Sequence, residues 1–68
     1  MEREYVESSM ITSIGYDNSI LEIEFKSNGQ VWQYFDVPEY VYHEMMAADS
    51  HGKYFHKNIK GHYMESRV

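Results

Sequence analysis

The chain has no cysteine and a single proline among its 68 residues. Without thiols it can build neither a disulfide framework nor a thiolate zinc site, the usual staples of very small domains. No run approaches the roughly 20 apolar residues of a membrane-spanning helix. Met1-Glu2-Arg3-Glu4 lacks the basic flank and apolar stretch of a signal peptide, so a cytoplasmic protein with no membrane partner is expected. Basic residues are scarce over positions 1–49, where ten acids stand against Arg3 and Lys26 for −8. Residues 50–68 reverse this, with Lys53, Lys57, Lys60 and Arg67 against Glu65 for +3. A net charge of −5 argues against broad nucleic-acid binding, which depends on neutralising phosphates, but leaves the basic C-terminal third as a local exception.

Aromatic residues are abundant: seven tyrosines, three phenylalanines and one tryptophan. A domain this short buries only about 60% of its unfolded surface, so its core must be dense. Buried rings answer that need, each removing roughly 150–250 Å² from water. The organising stretch is Trp32 to Tyr42, where an alternating aromatic strand passes through Asp36-Val37-Pro38 into a helix.

Residues 1–9 are polar apart from Tyr5 and Val6 and are expected to fray, as is 64–68, within a single domain spanning 1–68. From Met10 to Tyr16 apolar and polar residues alternate as in a strand. Asp17-Asn18-Ser19 reads as a turn. Leu21, Ile23 and Phe25 alternate with Glu22, Glu24 and Lys26, and Asn28-Gly29 is a strong hairpin signal before a third strand over 30–35. Central Asn18-Ser19 puts Tyr16 opposite Leu21, Ile14 opposite Ile23 and Thr12 opposite Phe25. A two-residue Asn28-Gly29 loop puts Phe25 opposite Trp32, Ile23 opposite Tyr34 and Glu24 opposite Gln33. Both hairpins select one inner face: Thr12, Ile14, Tyr16, Leu21, Ile23, Phe25, Trp32 and Tyr34.

The cover of that face begins at Val37-Pro38. Pro38 suits the first helical position, while Asp36-x-x-Glu39 resembles a capping box that would make Val37 helical instead. Val41, Met45 and Ala48, joined by Tyr42, recur at helical spacing; Glu39, His43, Glu44 and Asp49 face water. Ser50 is a good N-cap for a second helix through Lys57 with Tyr54 and Phe55 inward, ended by Asn58 or Gly61. The predicted fold is α+β: a three-stranded antiparallel meander followed by two helices packed on one face.

The ordered set Ser8-Ser9, Ile14-Gly15-Tyr16-Asp17, Leu21-x-Ile23-x-Phe25, Asn28-Gly29, Val37-Pro38-x-x-Val41-Tyr42, Ser50-x-Gly52-x-Tyr54-Phe55 and Ile59-Lys60-Gly61-x-Tyr63 resembles a KTSC domain. That module of about sixty residues is named for its occurrence at the C-terminus of some lysyl-tRNA synthetases and also occurs as stand-alone small bacterial proteins. The chain departs from the family pattern at Trp32, where the family has tyrosine, and at His56, where asparagine is expected. By association with the synthetases the resemblance implies an RNA-related role.

Trp32 and Tyr34 fall on the face the helices cover, so core packing is favoured over base stacking; Phe35 and Val31, on the outer face, mark a possible partner contact. Residues 51–63 contain no acid, and Lys53, Lys57 and Lys60 at helical spacing, with Tyr63, form the candidate nucleic-acid-binding set. The helix start at Ser50–Lys53 offers free N–H groups suited to a phosphate. Three lysines make a weak electrostatic footprint, so a solvated helix face that offsets the acidic remainder is favoured over binding, and Tyr63 serves equally well as a packing plug. The histidines lack the i, i+4 spacing of a metal pair, so neither metal nor cofactor is expected. Glu22 and Glu24 read as a solvated row, and no serine sits in a nucleophile-elbow context, so no enzyme is expected. The sequence thus describes a small non-catalytic binding module whose target it leaves unassigned, with weak RNA or tRNA contact through Lys53, Lys57 and Lys60 as the specific hypothesis. The competing reading is a protein-interaction or self-association module, hetero- or homo-oligomeric, using a strand edge or the tyrosine-rich surface.

Overall fold

Asn18 and Ser19 both adopt left-handed torsions, φ 53° and 68°, which a two-residue type I′ turn requires. Asp17 therefore closes directly against Ile20. This turn joins the two long strands in a computed structural model describing residues Met1–Val68. The sheet has five antiparallel strands in sequence order: β1 (Glu4–Tyr5), β2 (Ile11–Asp17), β3 (Ile20–Phe25), β4 (Val31–Tyr34) and β5 (Glu65–Arg67). Between β4 and β5 lie α1 (Glu39–Ala47), the single turn α2 (His51–Tyr54) and a π-helical segment (Phe55–Ile59). No helix is long and apolar enough to cross a membrane.

The central meander matches expectation, with two changes of register. Tyr16 pairs with Leu21 and Ile14 with Ile23 as predicted, but Ile11, not Thr12, stands opposite Phe25. A β-bulge at Thr12 causes this. Ser8 Oγ accepts the N–H groups of Met10 and Ile11 at 3.1 Å each, fixing the entry to the strand. The bulge exchanges a half-buried threonine for an isoleucine with no exposed surface, and a fully buried isoleucine is worth about 1.5–3 kcal/mol.

At the second hairpin the Phe25 N–H donates to the Gln30 carbonyl at 2.9 Å and the Gly29 N–H to the Phe25 carbonyl at 3.0 Å. The loop is therefore the four residues Lys26 to Gly29, not the two-residue Asn28-Gly29 turn. Only Gly29 is left-handed (φ 68°), while Asn28 spends its side-chain oxygen on the Gln30 N–H at 2.9 Å. The register consequently moves by two: Leu21 faces Tyr34, Glu22 faces Gln33 and Ile23 faces Trp32. An even shift keeps every side chain on its predicted face.

Both termini, expected to fray, are edge strands. Glu4 and Tyr5 pair with Ile14 and Ser13, and Glu65, Ser66 and Arg67 pair with Tyr34, Gln33 and Trp32. A bare meander would leave the outer N–H and C=O groups of β2 and β4 unpaired, and these short segments pair with part of the β2 edge and most of the β4 edge.

Asp36 in a left-handed conformation (φ 59°) turns the chain from β4 back across the sheet. The capping box does not form: Pro38 is the N-cap, with extended torsions and no side-chain cap bond, and Glu39 is the first helical residue. Val37, fully buried, donates its N–H to the Ser19 carbonyl at 3.0 Å. Tyr42 stacks on Tyr16 with ring centroids 5.2 Å apart, and the Tyr16 hydroxyl donates to the Val37 carbonyl at 2.6 Å. Ser50 caps α2 as predicted, accepting the Lys53 N–H at 3.1 Å. The Lys60 N–H then donates to the Phe55 carbonyl at 2.9 Å, the wide i→i+5 closure of a π turn. The segment buries Phe55 and Ile59 against Ile11, Ile14, Leu21, Ile23, Tyr34, Val37, Val41 and Met45, the single core of the domain.

Candidate functional site

The end of the sheet beneath the π segment is only partly closed. There a cleft of about 330 Å³ lies between Phe25 on β3, Ser27 and Asn28 of the hairpin loop, Trp32 and Tyr34 on β4, Phe55 and His56 of the π segment, Met10, Lys60 and Glu65. Its floor is aromatic. Phe55 meets Phe25 and Tyr34 edge-on, with centroids 5.2 and 5.6 Å apart. Tyr34 is buried, whereas Trp32 is half-buried and holds its indole N–H on Gln30 Oε1 at 3.2 Å. Burial, reinforced by the Glu65 carboxylate, raises the Tyr34 hydroxyl well above its ordinary pKa and keeps it protonated.

The structure divides the predicted basic set. Lys60 shares the cleft with His56, while Lys53 and Lys57 lie outside its lining, both exposed. Lys60 is the C-cap of the π segment with extended torsions (φ −63°, ψ 124°), so the helical spacing ends before it. Tyr63 is half-buried against the core, and burial, with Tyr40 nearby, raises its hydroxyl. At the start of α2 the Ser50 side chain already occupies the Lys53 N–H, and the His51 ring bonds the Met45 carbonyl at 2.8 Å. Tyr54 donates to Glu44 at 2.7 Å; burial and that carboxylate push its hydroxyl up to about 12.

Sequence reasoning missed the cleft itself. Trp32 and Tyr34 share the inner face as predicted, but only Tyr34 is sealed into the core, since the helical cover stops short of Trp32. The available signal was the pair of departures from the family pattern: Trp32 and His56 line the same cleft.

The opposite face of the sheet is not a solvated acidic row. Arg3 reaches across it, donating Nε to Ser13 Oγ at 2.9 Å and pairing with Glu22 and, at 3.8 Å, with Glu24. Ser13 Oγ donates to Glu24 at 2.8 Å, and Gln33 Nε2 to Glu22 at 2.8 Å. Ser13 and Glu22 are buried beneath this network. Burial by itself would raise the Glu22 carboxyl, but the bonds from Gln33 and Arg3 and the Arg3 charge outweigh it and hold it below the ordinary carboxylate value. No buried side-chain nitrogen or oxygen lacks a partner, and no group of three or more acidic or histidine side chains is placed to hold a metal.

Known proteins share this fold. A KTSC domain protein from Yersinia pestis, known from its crystal structure, superimposes with a TM-score of 0.94 at 42% identity, covering 98% of this chain and 96% of that one. An uncharacterized protein of Stutzerimonas stutzeri is 39% identical over 71 residues, spanning 100% of this chain and 99% of the relative. The lysine–tRNA ligase of Trichormus variabilis is 44% identical over 59 residues, which are 84% of this chain but 10% of the ligase. With residues 7–63 matching the KTSC domain and the fold shared almost end to end, the chain belongs to the KTSC domain family.

Proposed function

We propose that this domain is a non-catalytic binding module that takes a base of single-stranded RNA, including the unpaired segments of a tRNA, into the cleft at Trp32. The observation that carries the reading is the half-buried indole of Trp32 beside an aromatic floor, with Lys60 and His56 on the same rim. A base stacked on an aromatic side chain gains roughly 1–3 kcal/mol regardless of sequence. A cleft of about 330 Å³ lies at the small end of the range for ligand sites and suits one base, not a duplex. Lys60 supplies charge for the adjoining phosphate, with Lys53 and Lys57 exposed farther along the same segment. Glu65, Ser27 and Asn28 supply hydrogen-bonding groups for base edges. The partial match to a lysine–tRNA ligase adds support by association.

Trp32 is the only tryptophan, so its fluorescence reports on the cleft alone. Titration with short single-stranded RNA pools and bulk tRNA at low salt is expected to quench it and to shift the amide resonances of residues 50–63. Both responses weaken as salt rises, with a logarithmic slope near −0.7 per phosphate contacted. Trp32→Leu and Lys60→Glu each reduce binding. A protein that shows no response even at low salt, or one that binds equally well after Lys60→Glu, overturns the reading.

A further inference from the structure

β5 is an edge strand whose sequence is complementary to itself. The Phe35 N–H donates to the Met64 carbonyl and the Val68 N–H to the Val31 carbonyl, so Met64 and Val68 aim their backbone groups at β4. By the alternation of an antiparallel ladder Ser66 does the same, and Glu65 and Arg67 turn their N–H and C=O groups to the open side. An incoming antiparallel strand must therefore bond to Glu65 and Arg67. If that strand is β5 of a second copy and Ser66 faces Ser66, Glu65 of each copy lies opposite Arg67 of the other. Both pairs bring outward-facing backbone groups together and oppose unlike charges. Met64 and Val68, 78% and 69% exposed, then also lie opposite one another across the seam.

We infer that the domain self-associates through β5, pairing antiparallel about Ser66 so that Glu65 and Arg67 form reciprocal ion pairs across a two-fold axis. The register is selective. Moving it by two residues in either direction puts glutamate opposite glutamate or arginine opposite arginine, and like charges directly opposed destabilise a strand pair. β5 against β5 is a closed, isologous contact, whereas β5 against the β1 edge of another copy would be head-to-tail and open-ended. Glu65 lines the cleft and shares its sheet face with Tyr34, and antiparallel partners keep their faces aligned. The pair thus sets two clefts on the same side of one continuous sheet. Because the strand is three residues long, the contact falls in the weak class that buries less than about 1,200 Å² and exchanges with free monomer.

The test is sedimentation velocity over a dilution series of the full chain, with Arg67→Glu, Glu65→Arg and the double variant. The expected result is a concentration-dependent monomer–dimer equilibrium that either single variant weakens roughly tenfold. The double variant restores it, and a mixture of the two single variants forms a heterodimer, because their charges are again opposite. That rescue also shows that the single variants are folded. A wild-type chain that stays monomeric at the highest concentration, a dimer indifferent to Arg67→Glu, or single variants that do not combine would each overturn the assignment.

Discussion

Arg3 is ion-paired to Glu22 across the width of two strands, on the sheet face turned away from the helices. This one contact ties the N-terminal segment to the middle of the sheet and neutralises the most buried carboxylate of the chain.

The pair makes stability acid-sensitive. The Glu22 carboxyl is held below its ordinary value of 4.5, so the folded state favours its charged form. The resulting stabilisation is present above pH 4.5 and is lost as pH falls through the lower folded value. Urea unfolding followed from neutrality downward is expected to show this loss, and Glu22→Gln flattens it. Arg3→Met leaves a buried carboxylate with Gln33 as its remaining partner and costs about 1–3 kcal/mol near neutrality. Unchanged stability in Arg3→Met would mean that the pair is only a surface contact.

Gly15 is where the N-terminal segment crosses β2. A Cβ there would lie 2.5 Å from the Glu2 carbonyl oxygen and 2.9 Å from Arg3 Cγ. Backbone cannot yield as a flexible side chain can, so Gly15→Ala is expected to push β1 off the sheet at a cost of about 1–3 kcal/mol. Hydrogen exchange checks this locally: the Val6 amide, bonded to the Thr12 carbonyl at 3.1 Å, loses protection while the amides between β2 and β3 keep theirs.

Ser50→Ala removes the hydroxyl oxygen that accepts the Lys53 N–H. Loss of an N-cap costs about 0.5–2 kcal/mol. In a domain of this size about 1 kcal/mol lowers Tm by about 4–8 °C, and Ser50→Asp should retain most of the stability. Because α2 leads directly into the segment carrying Phe55 and His56, the proposed binding of RNA at the cleft should weaken in Ser50→Ala alongside Tm.

Much of the fold was legible because it is local. The Asn18-Ser19 turn, the alternation of Leu21, Ile23 and Phe25, and the Ser50 cap each depend on residues within a few positions of one another, and each stands as read. The errors share a cause. Asn28-Gly29 is compatible with loops of two or four residues, and only the match of Ile23 to Trp32 across the sheet chooses between them. Thr12 and Ile11 compete for one inner position, and the contest is decided by how much apolar surface the finished core removes from water. Periodicity hid the cleft for a related reason: alternation assigns Trp32 to a face without saying where the helical cover ends.

The sequence alone determined the antiparallel meander, the helical cover and the family, because hydrophobic period, turn chemistry and capping are written in neighbouring residues. Tertiary structure decided what the ends of the chain and the acids do. Arg3 is far in sequence from Glu22, and β5 is far from β4, so nothing local marks them as partners. Only when the sheet exists are there two open edges for β1 and β5 to close and a buried carboxylate for Arg3 to neutralise. Unpaired backbone groups and an unpaired buried charge are costly, and that cost draws the polar termini, which have little apolar surface of their own, onto the domain.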